Sequence, residues 1–270
     1  MRDLYAPSGR SRIYEYIWRA FHIPQMDLQR ASVFMYQLLT DPRDAYRNTR
    51  ISQVIRHRWS RDDPAFLFLL CIFVMCTSCL YGIVFRVQTL SHWIWMLFAP
   101  ILLEVVGIGS VVATLLQYIA NKYFRQPHAE ETVEWLYAFD VHCNAVLPYY
   151  LLTYGLQLML SPVLVYQHSL TACVLSTLIY TVAIAAYLYI TWLGYQILPF
   201  AQDSKVLYIL RPVFFLVPLG VLLILARINI SALVFEFYFS RNTTSWPTMT
   251  SNLTPDVTGA ASSNATKAMS

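Results

Sequence analysis

The sequence predicts an all-α multipass membrane protein, and three observations carry that reading. Hydrophobic residues make up 57% of the 270-residue chain and charged residues only 13%, too few charges to coat a soluble core of that size. Apolar runs recur along the chain at the length of about 20 residues that a helix needs to cross a bilayer. Charge is also lopsided, since eleven of nineteen Lys/Arg residues and seven of fifteen Asp/Glu residues precede Pro64. The expected architecture is a helical cytosolic N-terminal arm over 1–64, five transmembrane helices within 65–240, and a disordered luminal tail over 241–270.

Residues 1–9 read as a short disordered lead. From Arg10 to Ile23, Ile13, Tyr16, Ile17, Ala20 and Phe21 recur at helical spacing until Pro24 ends the segment. A second helix is expected over Asp27–Leu39. A third is expected from Thr40-Asp41-Pro42, where a capping residue precedes an N1 proline. The apolar stripe suits either an arm lying in the headgroup zone, with arginines on phosphates, or a helical cap packed on its own bundle. Residues 1–20 hold charges at short intervals and no apolar h-region, so the first span is expected to act as its own insertion signal.

Span 1 covers 65–85, where 21 residues carry no charge, and Asp63-Pro64 is a good helix start. Arg86 to Ser91 allows only a turn, so span 2 runs back over 92–117, with Pro100 as a kink site. Glu104 lies near its middle, ahead of Gly107, Gly109 and Ser110, which let another helix approach closely. An intramembrane acid marks either a functional site or a hydrogen-bonded lock on helix packing. Span 3 is expected over 145–166, span 4 over 170–193, where Tyr187, Tyr189 and Trp192 form an interfacial cluster, and span 5 over 206–229. Arg211 and Arg227 bracket that last span and are expected to snorkel.

Two signals set the expected topology. Basic residues mark the cytosolic side, which puts the arm there and leaves the tail luminal after five spans. The tail carries three N-glycosylation sequons, at Asn242, Asn252 and Asn264, which fit a luminal face. The loop over 118–143 is then cytosolic. Within it, a helical Thr132–Val141 would place Glu134 and Tyr137 on one face and Trp135 and Phe139 on another. Glu134, Trp135, Tyr137, Asp140 and His142 are therefore candidates for partner binding or loop packing. Arg61, Asp62 and Asp63 could pair with that loop or orient span 1. Cys76 and Cys79 resemble a metal half-site, but no second Cys/His pair has suitable spacing. No HExxH or dense ligand spacing occurs, so no metal, cofactor or catalytic constellation is expected. A membrane enzyme or transporter using Glu104 or the His/Glu loop is the competing class. Arginines interleaved with Tyr14, Tyr16, Trp18, Tyr36, Tyr46 and Trp59 superficially suit RNA. Seven acids dilute that field, and an anionic leaflet accounts for the same residues.

Through RDDPAFLFLL (61–70), NKYF (121–124), VEWLYAFDVHCNAVLPYYLL (133–152) and YITWLGYQILPF (189–200), the chain resembles the uncoordinated-fifty family. QMDLQRASVFMYQLLTDPRDAYRNT (25–49) is similar to that family's arm. The resemblance covers roughly residues 12–240, and the tail after Arg241 departs from it. It implies a five-span Golgi membrane protein in membrane traffic, without catalysis. Linked to the family are surface delivery of multisubunit receptors, including nicotinic acetylcholine receptors, and, in its fungal branch, large exchange factors for Arf GTPases. RNA binding at the inner nuclear membrane is a further property attributed to it.

Overall fold

A computed structural model describes residues 18, 26–56, 63–129, 131–165 and 169–239. The first arm helix expected over 10–23, Arg61 and Asp62, and the sequons at Asn242, Asn252 and Asn264 lie outside the described residues, apart from Trp18, which is helical. The described residues form helices and a single isolated bridge between Arg125 and Ala201. We number the helices in chain order.

Helix α1 spans Leu28–Thr40, and the Asp27 side chain accepts from the Arg30 amide at 2.9 Å, satisfying an otherwise orphan donor of the first turn. Helix α2 spans Pro42–Arg56, and the Asp41 carboxylate caps it by accepting from the Asp44 amide at 3.1 Å. Both helices are packed into the bundle. Leu38 and Tyr46 are buried, and Phe34 meets Phe66 of the first span edge-on with ring centroids 5.9 Å apart.

Four helices are long and apolar enough to cross a membrane: α3 (Ala65–Val84), α4 (Leu90–Phe124), α6 (Leu170–Gln196) and α7 (Asp203–Leu225). The third expected span is not among them. Its helix, α5, begins at Trp135, ten residues before the expected boundary, and continues through a π-helical turn at Leu151–Leu156 into Gln157–Met159. Asp140, His142 and Asn144 lower its hydropathy, and other helices, rather than lipid, surround them. All three are buried. Helix α5 nevertheless runs from one end of the bundle to the other. At its start Val133 is held by Asn121, and beyond its end the Leu164 carbonyl accepts from Asn229.

Helix α4 is longer than expected and not uniform. From Pro100 to Ile108 it is π-helical. A proline cannot donate its amide and crowds the carbonyl four residues back, so the ladder is re-spaced around Pro100 into the wider turn. A second π segment, Ala120–Phe124, carries the helix past residue 117, so the long loop shrinks to 125–134. Helix α7 starts at Asp203 and ends at Leu225, short of residue 229. Arg227 then takes a left-handed φ of 54°, which reverses the chain into an unexpected last helix, α8 (Ile230–Phe239). Helix α8 lies against the bundle. Phe235 packs on Tyr81 and Phe85, and the Tyr238 carbonyl contacts the His92 ring at 2.7 Å. The outside of the bundle is apolar: Phe214, Phe215 and Leu225 on α7 are 81%, 72% and 76% exposed. Such a surface is stable against lipid and not against water.

Candidate functional site

Glu104 sits in the π-helical part of α4 and is half-buried. Its Oε1 accepts from the Tyr154 hydroxyl at 3.1 Å and from the Tyr238 hydroxyl at 2.5 Å. The Tyr154 carbonyl in turn accepts from the Tyr81 hydroxyl at 3.1 Å. Helices α3, α4, α5 and α8 thus converge on one carboxylate, in the half of the bundle away from the arm. Beside it lies a cavity of about 70 Å³, whose lining includes Thr153, Gln157, Tyr180 and Phe235. The lining holds one acid and no Lys, Arg or His.

The geometry explains why each partner is present. A wider π turn moves Glu104 relative to its neighbours, and such turns recur at functional sites. Tyrosine suits an apolar interior because its ring is hydrophobic while its hydroxyl can donate. Sequence reasoning singled out Glu104 and missed all of its partners. Tyr154 lies just past the segment 133–152 with nothing local to set it apart from other tyrosines, and Tyr238 lies on α8, to which no structure was assigned. The run ISALVFEFYF (230–239) offered a signal, being apolar enough to pack.

A second cluster joins the arm to the bundle. Asp63 Oδ2 accepts from the Asp27 amide at 2.8 Å and its Oδ1 from the Ala65 amide at 2.9 Å, so this residue ties the arm to the start of α3. Arg43 donates to the Tyr189 hydroxyl at 2.9 Å, and Asn144 to the Tyr46 hydroxyl at 3.1 Å. The expected partner face over Glu134–His142 is divided. Glu134 and Trp135 remain half-buried at the bundle end, where Trp135 donates to Thr114 at 3.0 Å and stacks on Phe139. Tyr137, Asp140 and His142 are buried and offer no docking face on this fold, because the α-helical period turns them between α4 and α6. Tyr137 donates to the Gly194 carbonyl. His142 Nδ1 meets the Tyr187 hydroxyl at 2.8 Å, and its ring lies where a Cβ on Gly109 would come within 2.8 Å. Only glycine permits that approach. Among the described residues, no three His, Cys, Asp or Glu side chains are grouped to hold a metal ion.

Fold and site together define a polytopic helical membrane protein with a hydrogen-bonded carboxylate inside its apolar bundle. The UNC-50 family model matches residues 16–239. The chain is 34% identical over 234 residues to the protein unc-50 homolog of Dictyostelium discoideum, covering 85% of this chain and 88% of that one. It is 34% identical to the Danio rerio homolog over 212 residues and 33% identical to the Homo sapiens homolog over 210 residues. Each of those matches covers 76% of this chain and 80% of the relative. No solved structure matches. The chain belongs to the UNC-50 family.

Proposed function

We propose that this protein serves membrane traffic in the Golgi and early secretory pathway, as a platform that docks Arf exchange factors on its cytosolic face. Through that role it supports surface delivery of multisubunit receptors such as nicotinic acetylcholine receptors. Family membership supports the setting, and one structural observation supports the platform. Helix α1 is held against the bundle by Leu38 and Phe34, yet its outer side exposes Val33, Tyr36 and Leu39 at 49%, 69% and 42%. These positions share a helix face, and a fixed, partly apolar face beside arginines suits a protein partner.

Deleting the arm is a poor test, because Tyr46 and Leu38 belong to the core. The double substitution Tyr36→Ser with Leu39→Ser removes only the exposed face. Recruitment of the exchange factor to Golgi membranes should fall several-fold at unchanged abundance and location. Full recruitment by that variant would eliminate α1 as the docking face.

A further inference from the structure

We propose that the cavity beside Glu104 is a binding site for a small organic ammonium group, carried either by a lipid headgroup or by a free amine. This is independent of the docking role. Three observations converge. First, the carboxylate has tyrosine hydroxyls as its partners, through Oε1, and no cationic side chain lines the cavity. A carboxylate in an apolar interior is costly unless a proton or a cation balances it. Second, Gln157 is 1% exposed and lines the same cavity; its side-chain amide bonds to Tyr180, and its Oε1 has no protein hydrogen-bond partner. Buried acceptors are normally satisfied, and one left open costs about 1–3 kcal/mol. Proton uptake by Glu104 would answer the charge and leave Gln157 unanswered. A cation carrying N–H donors answers both, whereas a fully methylated one answers the charge alone. Third, the remaining walls are largely aromatic, with Tyr81, Tyr180 and Phe235 among them. Aromatic walls around a carboxylate are the surroundings in which ammonium groups are recognised through cation–π attraction.

Size discriminates further. A water occupies roughly 10–15 Å³ of this kind of volume, so about 70 Å³ admits a group of several heavy atoms. A bare inorganic cation would prefer a tight shell of oxygens, whereas the walls here include tyrosine rings, Val234 and Phe235. The cavity sits where α8 closes over the bundle, so occupancy would also hold α8 through Tyr238.

The test uses the full chain in a maltoside detergent, which carries no ammonium. Thermal unfolding is followed against ethanolamine, choline and tetramethylammonium, with sodium chloride at equal ionic strength, at pH 6 and pH 8. A second set places the protein in nanodiscs of phosphatidylcholine, phosphatidylethanolamine or phosphatidylglycerol. Saturable stabilisation by an organic ammonium, with at least tenfold weaker half-saturation in Glu104→Gln, supports the site. Gln157→Leu should weaken it several-fold, and that variant serves should Glu104→Gln not fold. Stabilisation by free amines assigns the ligand to soluble amines, and stabilisation only in the two ammonium lipids assigns it to headgroups. Equal response to sodium, a response to acidification alone, or no response would each overturn the proposal.

Discussion

Gly194 lies at a close approach of α6 to α5, and Gly194→Ala measures how tightly those helices are locked. An added Cβ would stand 2.8 and 2.9 Å from the two Val141 methyl carbons and 3.3 Å from the Tyr46 hydroxyl. Carbon atoms pack best at about 3.5–4.0 Å, so the helices must part by most of an ångström or Val141 must leave its rotamer. Val141 is 1% exposed and β-branched, and a β-branched side chain on a helix has one strongly favoured χ1. Overpacking of this kind costs about 1–3 kcal/mol. Separation would also stretch the Tyr137 bond to the Gly194 carbonyl. At about 2–4 °C per kcal/mol for a chain of this size, a mid-range loss of roughly 2 kcal/mol lowers the melting temperature by roughly 4–8 °C. The assay is thermal unfolding of purified protein in detergent, with Val141→Ala and the double variant alongside. Removing the Val141 methyls makes room for the new one, so the double variant should be coupled favourably by about 1 kcal/mol or more. An unchanged melting temperature for Gly194→Ala, or strictly additive effects, would refute the packing argument.

Three further outcomes follow from the same contacts. Tyr154→Phe and Tyr238→Phe should each lower stability by roughly 0.5–2 kcal/mol in thermal unfolding; because both hydroxyls serve Glu104 Oε1, the double variant should lose more than the sum. Asn229-Ile-Ser231 matches a sequon, but Asn229 and Ser231 are 1% and 0% exposed and hydrogen-bonded to Leu164 and Ser176. Intact-mass analysis should therefore find Asn229 unmodified, and Asn229→Ala should cost about 1–3 kcal/mol of stability. Phe214, 81% exposed at the middle of α7, should face lipid, so Phe214→Arg is expected to cost about 2.5–3.5 kcal/mol of insertion, read as a smaller membrane-integrated fraction in an insertion assay.

The all-helical membrane class was legible in the sequence because hydropathy reports directly on lipid contact. Spans whose outer faces meet lipid, such as 65–84, stand out for that reason. Helix α5 was harder to place because hydropathy reports nothing about a helix surrounded by other helices. Its first turns, from Trp135 to Asn144, read as part of a cytosolic loop with a candidate helix over Thr132–Val141, since Asp140, His142 and Asn144 are polar yet lie buried in the bundle instead of in water. Pro100 was readable as a disturbance, but the π-helical form it takes depends on how α4 packs. Glu104 stood out as an acid among apolar residues. Tyr154 and Tyr238 did not, because tyrosine is ordinary in a membrane protein and only the fold brings positions 104, 154 and 238 together. Helix α8 hid behind Arg227, whose left-handed turn no local signal announced, since glycine is the residue that usually takes that conformation.

The central claim is that α5 crosses the membrane although it lacks the hydropathy of a span. With it the chain crosses five times and its two ends lie on opposite faces; without it there are four crossings and both ends share a face. Glycosidase-sensitive mobility of the full-length protein in cells, with Asn242, Asn252 and Asn264 mutated singly, combined with protease accessibility of the arm, separates the two. Five crossings predict mobility shifts that disappear site by site while the arm stays open to cytosolic protease. An unshifted tail that cytosolic protease removes together with the arm would contradict the account and take α5 out of the membrane.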